Sequence, residues 1–450
     1  MQLGVEVSTG RTRLCLASTL LGAGPDSWAD FNHRTWEIPN WLLFRLHVGP
    51  SGASEIEEVL AGSEAMIAAG QPVFGKKMES GQAVVWPWFP RQVERNARTF
   101  VEAFQHFWNA RLASYLSEDA HCVCANVAGP LVRIGRLGEA LDHLKDIVSL
   151  RVLPDCYCAW RSVSSRTPAS ERVIYVDPGH ETFRLTRFRI HREDHEEWIT
   201  IEDYKEIEGL GWLRLLGPSL MDPSLNASAS PGLGGWLALE AQIEKMRAED
   251  SEPLLLREAR PQMKRAVESF ALAAESEGAK VDQVLVRRHL SRSSVLEQES
   301  GYETVERHGV AMGAALFGQE YSESVHFIIP GNLYLSVNGS EPETITRHEE
   351  ILQTTTAGTS FSREILRGSL DEVNLSLLWG IGSGAGAFLP LARMSRLLTS
   401  PSHYVVAGIT LHRAGWNVYG TLWVGEPEEN GLPAERWSLD LGKWSYWTAR

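Results

Sequence analysis

Apolar runs near the start of the chain predict short β-strands joined by polar turns. Residues 3–7 form one such run, a Ser-Thr-Gly turn follows at 8–10, and residues 14–17 form a second run. This pattern is typical of a hairpin. Residues 36–48 predict one further strand, with Pro39 near its start, where a missing backbone donor is tolerated.

The opening pattern returns later in the chain. Residues 172–176 form an apolar run, residues 177–182 form a turn, and residues 183–190 alternate as a second strand. The two strand–turn–strand units lie roughly 170 residues apart, and helical sequence follows each of them. The spacing indicates an internal repeat.

The remaining segments before the C-terminal region combine helical periodicity with further short strands. Helices are predicted at residues 92–115, 137–147, 236–248, 258–277 and 308–317. The last of these is rich in Ala and Gly, which permit close packing against a neighbour. Buried strands are predicted at 122–127 and 281–286, and residues 152–159 fit either type.

Beyond Gly318 the sequence changes to short alternating strands separated by turn residues. Residues 405–411 and 416–424 form a predicted hairpin. Strands at this regular spacing predict a β-sandwich or barrel-like module that begins near Tyr321. Five of the 16 tryptophans fall in the last 35 residues, and either core packing or an aromatic contact surface explains them.

Composition narrows the possible functions. The formal net charge is −14 over 450 residues, so the chain lacks the basic footprint that nucleic-acid binding requires. No apolar run approaches the ~20 residues of a membrane span, and the N-terminus has no basic region typical of a secretory signal. Five cysteines, an odd number, fit a reducing compartment. We therefore expect a cytoplasmic protein without nucleic-acid or membrane partners.

Two Cys-x-Cys pairs, Cys122/Cys124 and Cys156/Cys158, leave two interpretations open. If both pairs lay on strands and met, four thiolates would hold Zn²⁺. Otherwise the cysteines are small residues packed between a sheet and its helices.

Taken in order, these segments resemble the heat shock protein 70 (DnaK-type chaperone) family of the actin-like ATPase superfamily. The family's two phosphate loops are similar to LGVEVSTGRTRLCLA and VIYVDPGHETFRLTRF. The segment before its adenosine-binding Gly-Gly-Ser resembles VDQVLVRRHLSRS, and the helix that closes its ATPase domain resembles HGVAMGAALFG. The strand after the first loop and the early β-domain resemble WEIPNWLLF and ILQTTTAGTSFS. This order along nearly the whole chain is that of a divergent family member.

The resemblance implies an α/β actin-like ATPase core of two ribonuclease-H-like lobes, at residues 1–165 and 166–320. An antiparallel β-sandwich-like module follows at 321–450 and binds a substrate or partner. The implied ligands are ATP or ADP with Mg²⁺, held by backbone N–H groups of the two turns and by carboxylates. Catalysis and metal binding are assigned to Glu6 and Asp177. Cofactor binding is assigned to Ser8, Thr9, Gly10, Gly179, Thr182, Arg287 and Arg288.

Several positions in the two turns depart from the family pattern. Glu6 replaces Asp, and Ser8 replaces a Gly and narrows the space for phosphate. In the second turn His180 and Glu181 replace two glycines, and Arg184 replaces an acid. A carboxylate such as Glu181 repels a nearby phosphate.

The adenosine segment departs further. Arg287, Arg288 and His289 stand where Gly-Gly-Ser is expected, although stacking of a nucleotide there requires bare backbone. The two arginines fit a solvated charged turn or, alternatively, phosphate contacts. The family's catalytic Lys is expected near residues 74–77, as Lys76 or Lys77, and its acidic-Pro-Thr element near residues 153–156.

These departures predict that ATP binding and hydrolysis are weakened or lost. We expect a divergent DnaK-like, chaperone-type protein that binds a peptide or protein partner through its β-module. The alternative is a non-enzymatic pseudo-ATPase scaffold in a larger bacterial assembly, favoured by the lost glycines. A small-molecule kinase of the same superfamily ranks last because no sugar-site acid is identifiable.

Overall fold

The structure is a computed structural model, and it describes part of the 450-residue chain. The described residues are 2–8, 11–18, 32–48, 54–69, 81–87, 105–109, 124–129, 149–163, 170–179, 182–193, 196–211, 215, 241, 244–245, 249, 254–276, 280–288, 301–320, 325–328, 331–346, 359–367, 372–381, 388–397, 404–414, 417–425, 437–443 and 446–449. The chain divides into two compact units. The first comprises Met1–Leu185 and Glu206–Ser322, and the second comprises Thr186–Lys205 and Glu323–Arg450.

The strands are numbered in chain order. They are β1 (Gln2–Val7), β2 (Arg11–Ser18), β3 (Asn32–Pro39), β4 (Trp41–Val48), β5 (Ser54–Ala61), β6 (Gly81–Pro87), β7 (Cys124–Gly129), β8 (Ser149–Pro154), β9 (Ser170–Pro178), β10 (Phe183–Glu193), β11 (Glu196–Ile207), β12 (Gln283–Arg287), β13 (Tyr302–Val305), β14 (Val325–Ile328), β15 (Gly331–Val337), β16 (Glu343–Thr346), β17 (Thr359–Arg367), β18 (Glu372–Ile381), β19 (Phe388–Leu397), β20 (Tyr404–Ala414), β21 (Asn417–Gly425), β22 (Trp437–Lys443) and β23 (Tyr446–Ala449). Helices in the described residues include α1 (Ser63–Ala69), α2 (Asp155–Val163), α3 (Leu254–Ser276) and α4 (Gly309–Glu320).

The first sheet has the strand order β3-β2-β1-β7-β8. Strand β2 runs antiparallel to β1 and β3, whereas β7 runs parallel to β1 and β8 runs parallel to β7. The predicted hairpin at the start of the chain is therefore confirmed.

A second sheet repeats this plan. Its strands include the succession β11-β10-β9-β12-β13, in which β12 runs parallel to both β9 and β13. In both sheets a hairpin supplies the first strands, and two later parallel strands extend the sheet from the first strand of that hairpin. The sequence repeat found above is thus also a repeat of topology. The result is a mixed α/β architecture.

The two hairpins correspond at a constant offset of 171 positions. Val5 corresponds to Val176 and Leu14 to Leu185, and all four side chains are fully buried. The offset therefore relates positions that perform the same packing role in each sheet.

The single strand predicted at residues 36–48 is wrong, because the chain breaks there into two strands of different sheets. Strand β3 ends at Pro39, and β4 begins at Trp41 in a separate sheet of order β5-β4-β6. Proline cannot continue the ladder as a donor. Asn40, at the break, accepts a hydrogen bond from the Thr12 hydroxyl (2.7 Å) and donates one to the Ser8 carbonyl (2.9 Å).

Helix α4 packs closely on its neighbours because small residues line it, as the sequence predicted. A Cβ added to Gly313 would lie 1.8 Å from the Cys158 carbonyl oxygen in α2. A Cβ added to Gly4 in β1 would lie 1.8 Å from the Ala311 carbonyl oxygen in α4. Only glycine fits at these two crossings, since real Cβ atoms do not approach so closely. The Asn126 amide adds a hydrogen bond to the Ala314 carbonyl at 2.9 Å.

Helix α3, unlike α4, packs through large side chains, and it covers an apolar face of the second sheet. Met263, Val267 and Phe270 of the helix pack against Ile174 and Val176 of β9. Such contacts provide the main stabilisation of an amphipathic helix in a globular protein. The helix begins before Glu258, where the sequence predicted its start, and Pro261 lies within its first turns.

Residues 152–159, which the sequence left open between strand and helix, contain the end of a strand and the start of a helix. Strand β8 ends at Pro154 and helix α2 begins at Asp155. Before residue 321, strands β5, β6, β11 and β13 were not predicted. In β11 the acidic residues of EEWITIEDYKEI hide a two-residue alternation that buries Ile199 and Ile201.

The second unit is rich in antiparallel strands. Two four-stranded sheets have the orders β16-β15-β18-β19 and β17-β20-β21-β22. Strands β20 and β21 pair antiparallel from Val406–Gly425 to Ala414–Asn417, so the hairpin predicted at 405–424 is confirmed. Within the same unit, β14 pairs with β11 on one side and with β23 on the other.

Some predictions lie outside the described residues. The helix at 137–147 is one, and only residues 105–109 of the helix at 92–115 are described, in helical conformation. The lobe boundaries at 165 and 320 remain predictions. None of the helices in the described part of the chain is both long and apolar enough to span a membrane.

Candidate functional site

The same backbone hydrogen bond closes both hairpin turns. The Ser8 N–H donates to the Arg11 carbonyl at 3.1 Å, and the Gly179 N–H donates to the Thr182 carbonyl at 3.0 Å. The donors and the acceptors are each separated by the 171-position offset. Gly179 is required at its position, because a Cβ there would lie 2.8 Å from the Thr182 carbonyl oxygen.

Each hairpin carries a buried acid paired with a buried arginine on the adjacent strand. Glu6 and Arg13 are cross-strand partners, with Arg13 Nη1 3.0 Å from Glu6 Oε1. Arg184 likewise donates to Asp177. The two acids and the two arginines are again 171 positions apart. The two hairpins therefore carry an acid–arginine ion pair at equivalent positions.

Arg287 joins these two pairs. It lies at the end of β12, is only 1% exposed, and its guanidinium donates to the Glu6 carboxylate. Its Nη1 lies 3.9 Å from Asp177 Oδ1. Arg287 therefore lies between the carboxylates of both hairpins. A solvated charged turn, expected from the sequence, is wrong for this residue.

Arg288, the next residue, does not join them. Its side chain is 23% exposed and pairs with the exposed Glu306, at 3.2 Å between Nη1 and Oε1. The two neighbouring arginines assigned to one role by the sequence thus have different environments.

Asp155 completes the charge balance. Its carboxylate lies at the start of α2, 3.6 Å from Arg184 Nη2. We call the resulting group the buried cluster; each member is at most 6% exposed, and it consists of Glu6, Arg13, Asp155, Asp177, Arg184 and Arg287. Three acids and three arginines leave it without net charge when all are ionised.

Burial and neighbouring charges oppose each other in this cluster. Burial raises the pKa of Asp155, while Arg184 and Arg287 counteract that shift. For Arg287, burial favours the neutral form, but Glu6, Tyr175 and Asp155 together outweigh it and raise the guanidinium pKa above its usual range. Arg287 is therefore charged at any physiological pH.

A fourth carboxylate, Glu37 of β3, extends the ionic contacts. It lies 3.2 Å from Arg13 Nε, 3.2 Å from Arg11 Nε and 2.6 Å from Arg307 Nε. His308 follows Arg307 at the start of α4. Burial and the nearby Arg13 lower the pKa of His308 to about 4, so its ring is neutral at pH 7.

The sequence did not single out Asp155, Glu37 or Asn40 as part of one site. Asp155 did lie in the segment matched to the family's acidic-Pro-Thr element. Glu37 and Asn40 come from the segment interpreted as one continuous strand, so the break between β3 and β4 was the missing information. Thr9, Gly10, Lys76, Lys77, His180, Glu181 and His289 lie outside the described residues.

Mg²⁺ does not fit the Glu6 and Asp177 carboxylates as they are paired here. Mg²⁺ requires free carboxylate oxygens and retains several waters. The carboxylates of Glu6 and Asp177, which the sequence assigned to Mg²⁺, instead contact the guanidinium groups of the cluster arginines. Among the described residues no group of three or more His, Cys, Asp or Glu side chains is arranged to hold a metal ion.

The zinc hypothesis for the cysteines loses one of its conditions. Cys156 and Cys158 lie on helix α2 and not on a strand, so residues two apart do not share a face. Both thiols are buried and free, and burial raises their pKa values well above normal. Cys122 lies outside the described residues.

No protein-family model matches the chain, and neither does any curated protein. The resemblance to the heat shock protein 70 family therefore remains a prediction from the sequence.

Proposed function

We propose that this protein is a DnaK-like pseudo-ATPase that binds a peptide or protein partner through its C-terminal β-rich unit without hydrolysing ATP. The function combines the two leading expectations from the sequence. Of the two outcomes expected for ATP hydrolysis, the site favours complete loss over weakened activity. It also favours a scaffold role over that of a chaperone driven by nucleotide.

One observation carries the proposal: Arg287 contacts the carboxylates of both hairpins. In an actin-like ATPase those two carboxylates would serve the metal and phosphates. Here a cation of the chain itself engages them, and a second cation from the nucleotide complex would be repelled. The repeated topology of the two sheets supports an actin-like ancestry, since that superfamily is built from two related lobes.

The second unit supports a binding role. Its two four-stranded antiparallel sheets end in β16, β19, β17 and β22. A sheet that ends in a strand can accept an extended peptide as an additional strand. The partner is therefore proposed to be a peptide or a protein segment in extended conformation, in a cytoplasmic setting.

The test measures nucleotide binding and turnover together. We expect ATP and ADP, with or without Mg²⁺, to leave the thermal unfolding midpoint unchanged. Phosphate release should not exceed that of a Glu6→Ala, Asp177→Ala variant. A bound ligand at about a hundred times its Kd would contribute about 2.7 kcal/mol, a readily measured shift. Turnover clearly above the variant would refute the proposal.

A further inference from the structure

We infer that Arg287 is a built-in cation that holds the β1–β2 and β9–β10 hairpins together, in place of any metal ion or nucleotide. This inference goes beyond the proposed function, because it concerns what closes the first unit and not what the protein binds.

The contacts of Arg287 join distant parts of the chain. Glu6 belongs to the first sheet and lies 281 positions before Arg287. Asp177 belongs to the second sheet, next to β12. Arg13 and Arg184 each neutralise the acid of their own hairpin, whereas Arg287 contacts the acids of both.

The register of the sheets shows that Arg287 has no counterpart in the other repeat. The β9–β12 pairing ends with Val286 beside Val176, and Arg287 and Asp177 are the next residues of the two parallel strands. The equivalent pairing in the first sheet places Ala128 beside Glu6. The bridging charge therefore comes from one repeat only and serves both.

Burial makes this charge necessary. Glu6, Asp177 and Arg287 are each 1% exposed, so water does not screen them. Without Arg287, Glu6 would keep, of the cluster arginines, only Arg13, which Glu37 shares, and Asp177 would keep only Arg184, which Asp155 shares. The uncompensated negative charge would then destabilise the closed arrangement unless another cation entered.

The experiment compares Arg287→Ala with the matched control Arg288→Ala, using the full chain. The parent and the control should show similar unfolding midpoints that do not respond to MgCl₂, CaCl₂ or methylguanidinium chloride. Arg287→Ala should unfold on the order of 10 °C lower, because it leaves a buried charge unpaired. Methylguanidinium or a divalent cation at millimolar concentration should raise its midpoint by several degrees. Equal midpoints for the two variants, or no cation response specific to Arg287→Ala, would overturn the inference.

A second pair of variants covers the case in which Arg287→Ala does not fold. Arg287→Lys keeps the charge, and Arg287→Met keeps much of the volume without it. We expect the Lys variant to be the more stable of the two. A Met variant as stable as the Lys variant would overturn the inference, since packing alone would then explain the residue. Nucleotide binding by the parent would refute the proposed function and the statement that Arg287 takes the place of a nucleotide. It would not change the outcomes expected for the bridge between the two hairpins.

Discussion

At the scale of single residues, the environment of a charge decides its role more than its identity does. Arg287 and Arg288 are adjacent, yet one is buried between two carboxylates and the other pairs with a carboxylate at the surface. An exposed pair of this kind contributes at most about 1 kcal/mol, whereas breaking a buried pair costs about 3–5 kcal/mol. The two positions therefore tolerate substitution very differently.

His308 should make stability depend on pH. Its folded-state pKa is about 4, against 6.5 for the ordinary side chain, because burial and Arg13 oppose its charge. As the pH falls from 6.5 towards 4, the unfolded chain binds a proton that the folded chain does not, so stability decreases. We expect urea midpoints of the parent to fall more between about pH 7 and about pH 4.5 than those of His308→Gln.

The control for this measurement is His191→Gln, at an exposed position of β10. It removes an imidazole without touching the contacts around Arg13 and Glu37. If the parent and His308→Gln lose stability in parallel over this range, the ring is not held neutral in the folded protein.

At the scale of elements, helix α4 is fixed by backbone crossings and not by large side chains. Gly313 brings it against α2, and Gly4 brings β1 against it. These crossings place the start of α4, with Arg307 and His308, beside Glu37 and Arg13. The close packing of one helix thus positions part of the ionic site.

Gly313→Ala should destabilise the protein despite the higher helix propensity of Ala. The propensity gain is about 1 kcal/mol, but the new Cβ would meet the Cys158 carbonyl, and a well-packed interior typically loses about 1–3 kcal/mol from such overpacking. We expect a lower thermal midpoint. Gly209→Ala is the control, since a Cβ there meets nothing within 4 Å. Equal midpoints for the two variants would contradict the close contact between Gly313 of α4 and Cys158 of α2.

How much of this was predictable depended on sequence separation. The hairpins and the small-residue packing of α4 follow from local patterns, and those predictions are confirmed. The burial of Arg287 could not be predicted in this way, because its partner Glu6 is 281 positions away and no local sequence pattern indicates that contact. The break at Asn40 was missed for a related reason, since its side-chain partners lie near Ser8 and Thr12.

At the scale of the whole molecule, the second unit is not a simple C-terminal appendage. It includes Thr186–Lys205 from the middle of the chain as well as Glu323–Arg450. Strand β14 depends on this insertion, because residues Glu197–Thr200 pair with Val325–Ile328. The unit is therefore incomplete in a C-terminal fragment that begins at Glu323.

A fragment of residues 323–450 should consequently aggregate. Strand β14 would retain β23 but would lose β11, which leaves an unpaired edge open to other chains. A fragment that carries residues 183–207 ahead of 323–450, joined by a flexible Gly/Ser linker, restores β11 beside β14. We expect it to aggregate less than the 323–450 fragment, although its β10 lacks the neighbouring strand β9. Size-exclusion chromatography of both fragments is the measurement, and a monomeric 323–450 fragment would contradict this dependence.

The constant offset between the hairpins has a consequence for how the chain's history can be studied. A protein that repeats itself supplies its own pairwise alignment, in which each half acts as a relative of the other. Shared positions across it, such as the arginines Arg13 and Arg184 and the acids Glu6 and Asp177, mark what both halves have in common. Differences mark where the halves diverge: Gly4 stands against Tyr175, where one copy admits a helix, and strand pairing, at a different offset, sets Ala128 against Arg287, where the other copy contributes its charge.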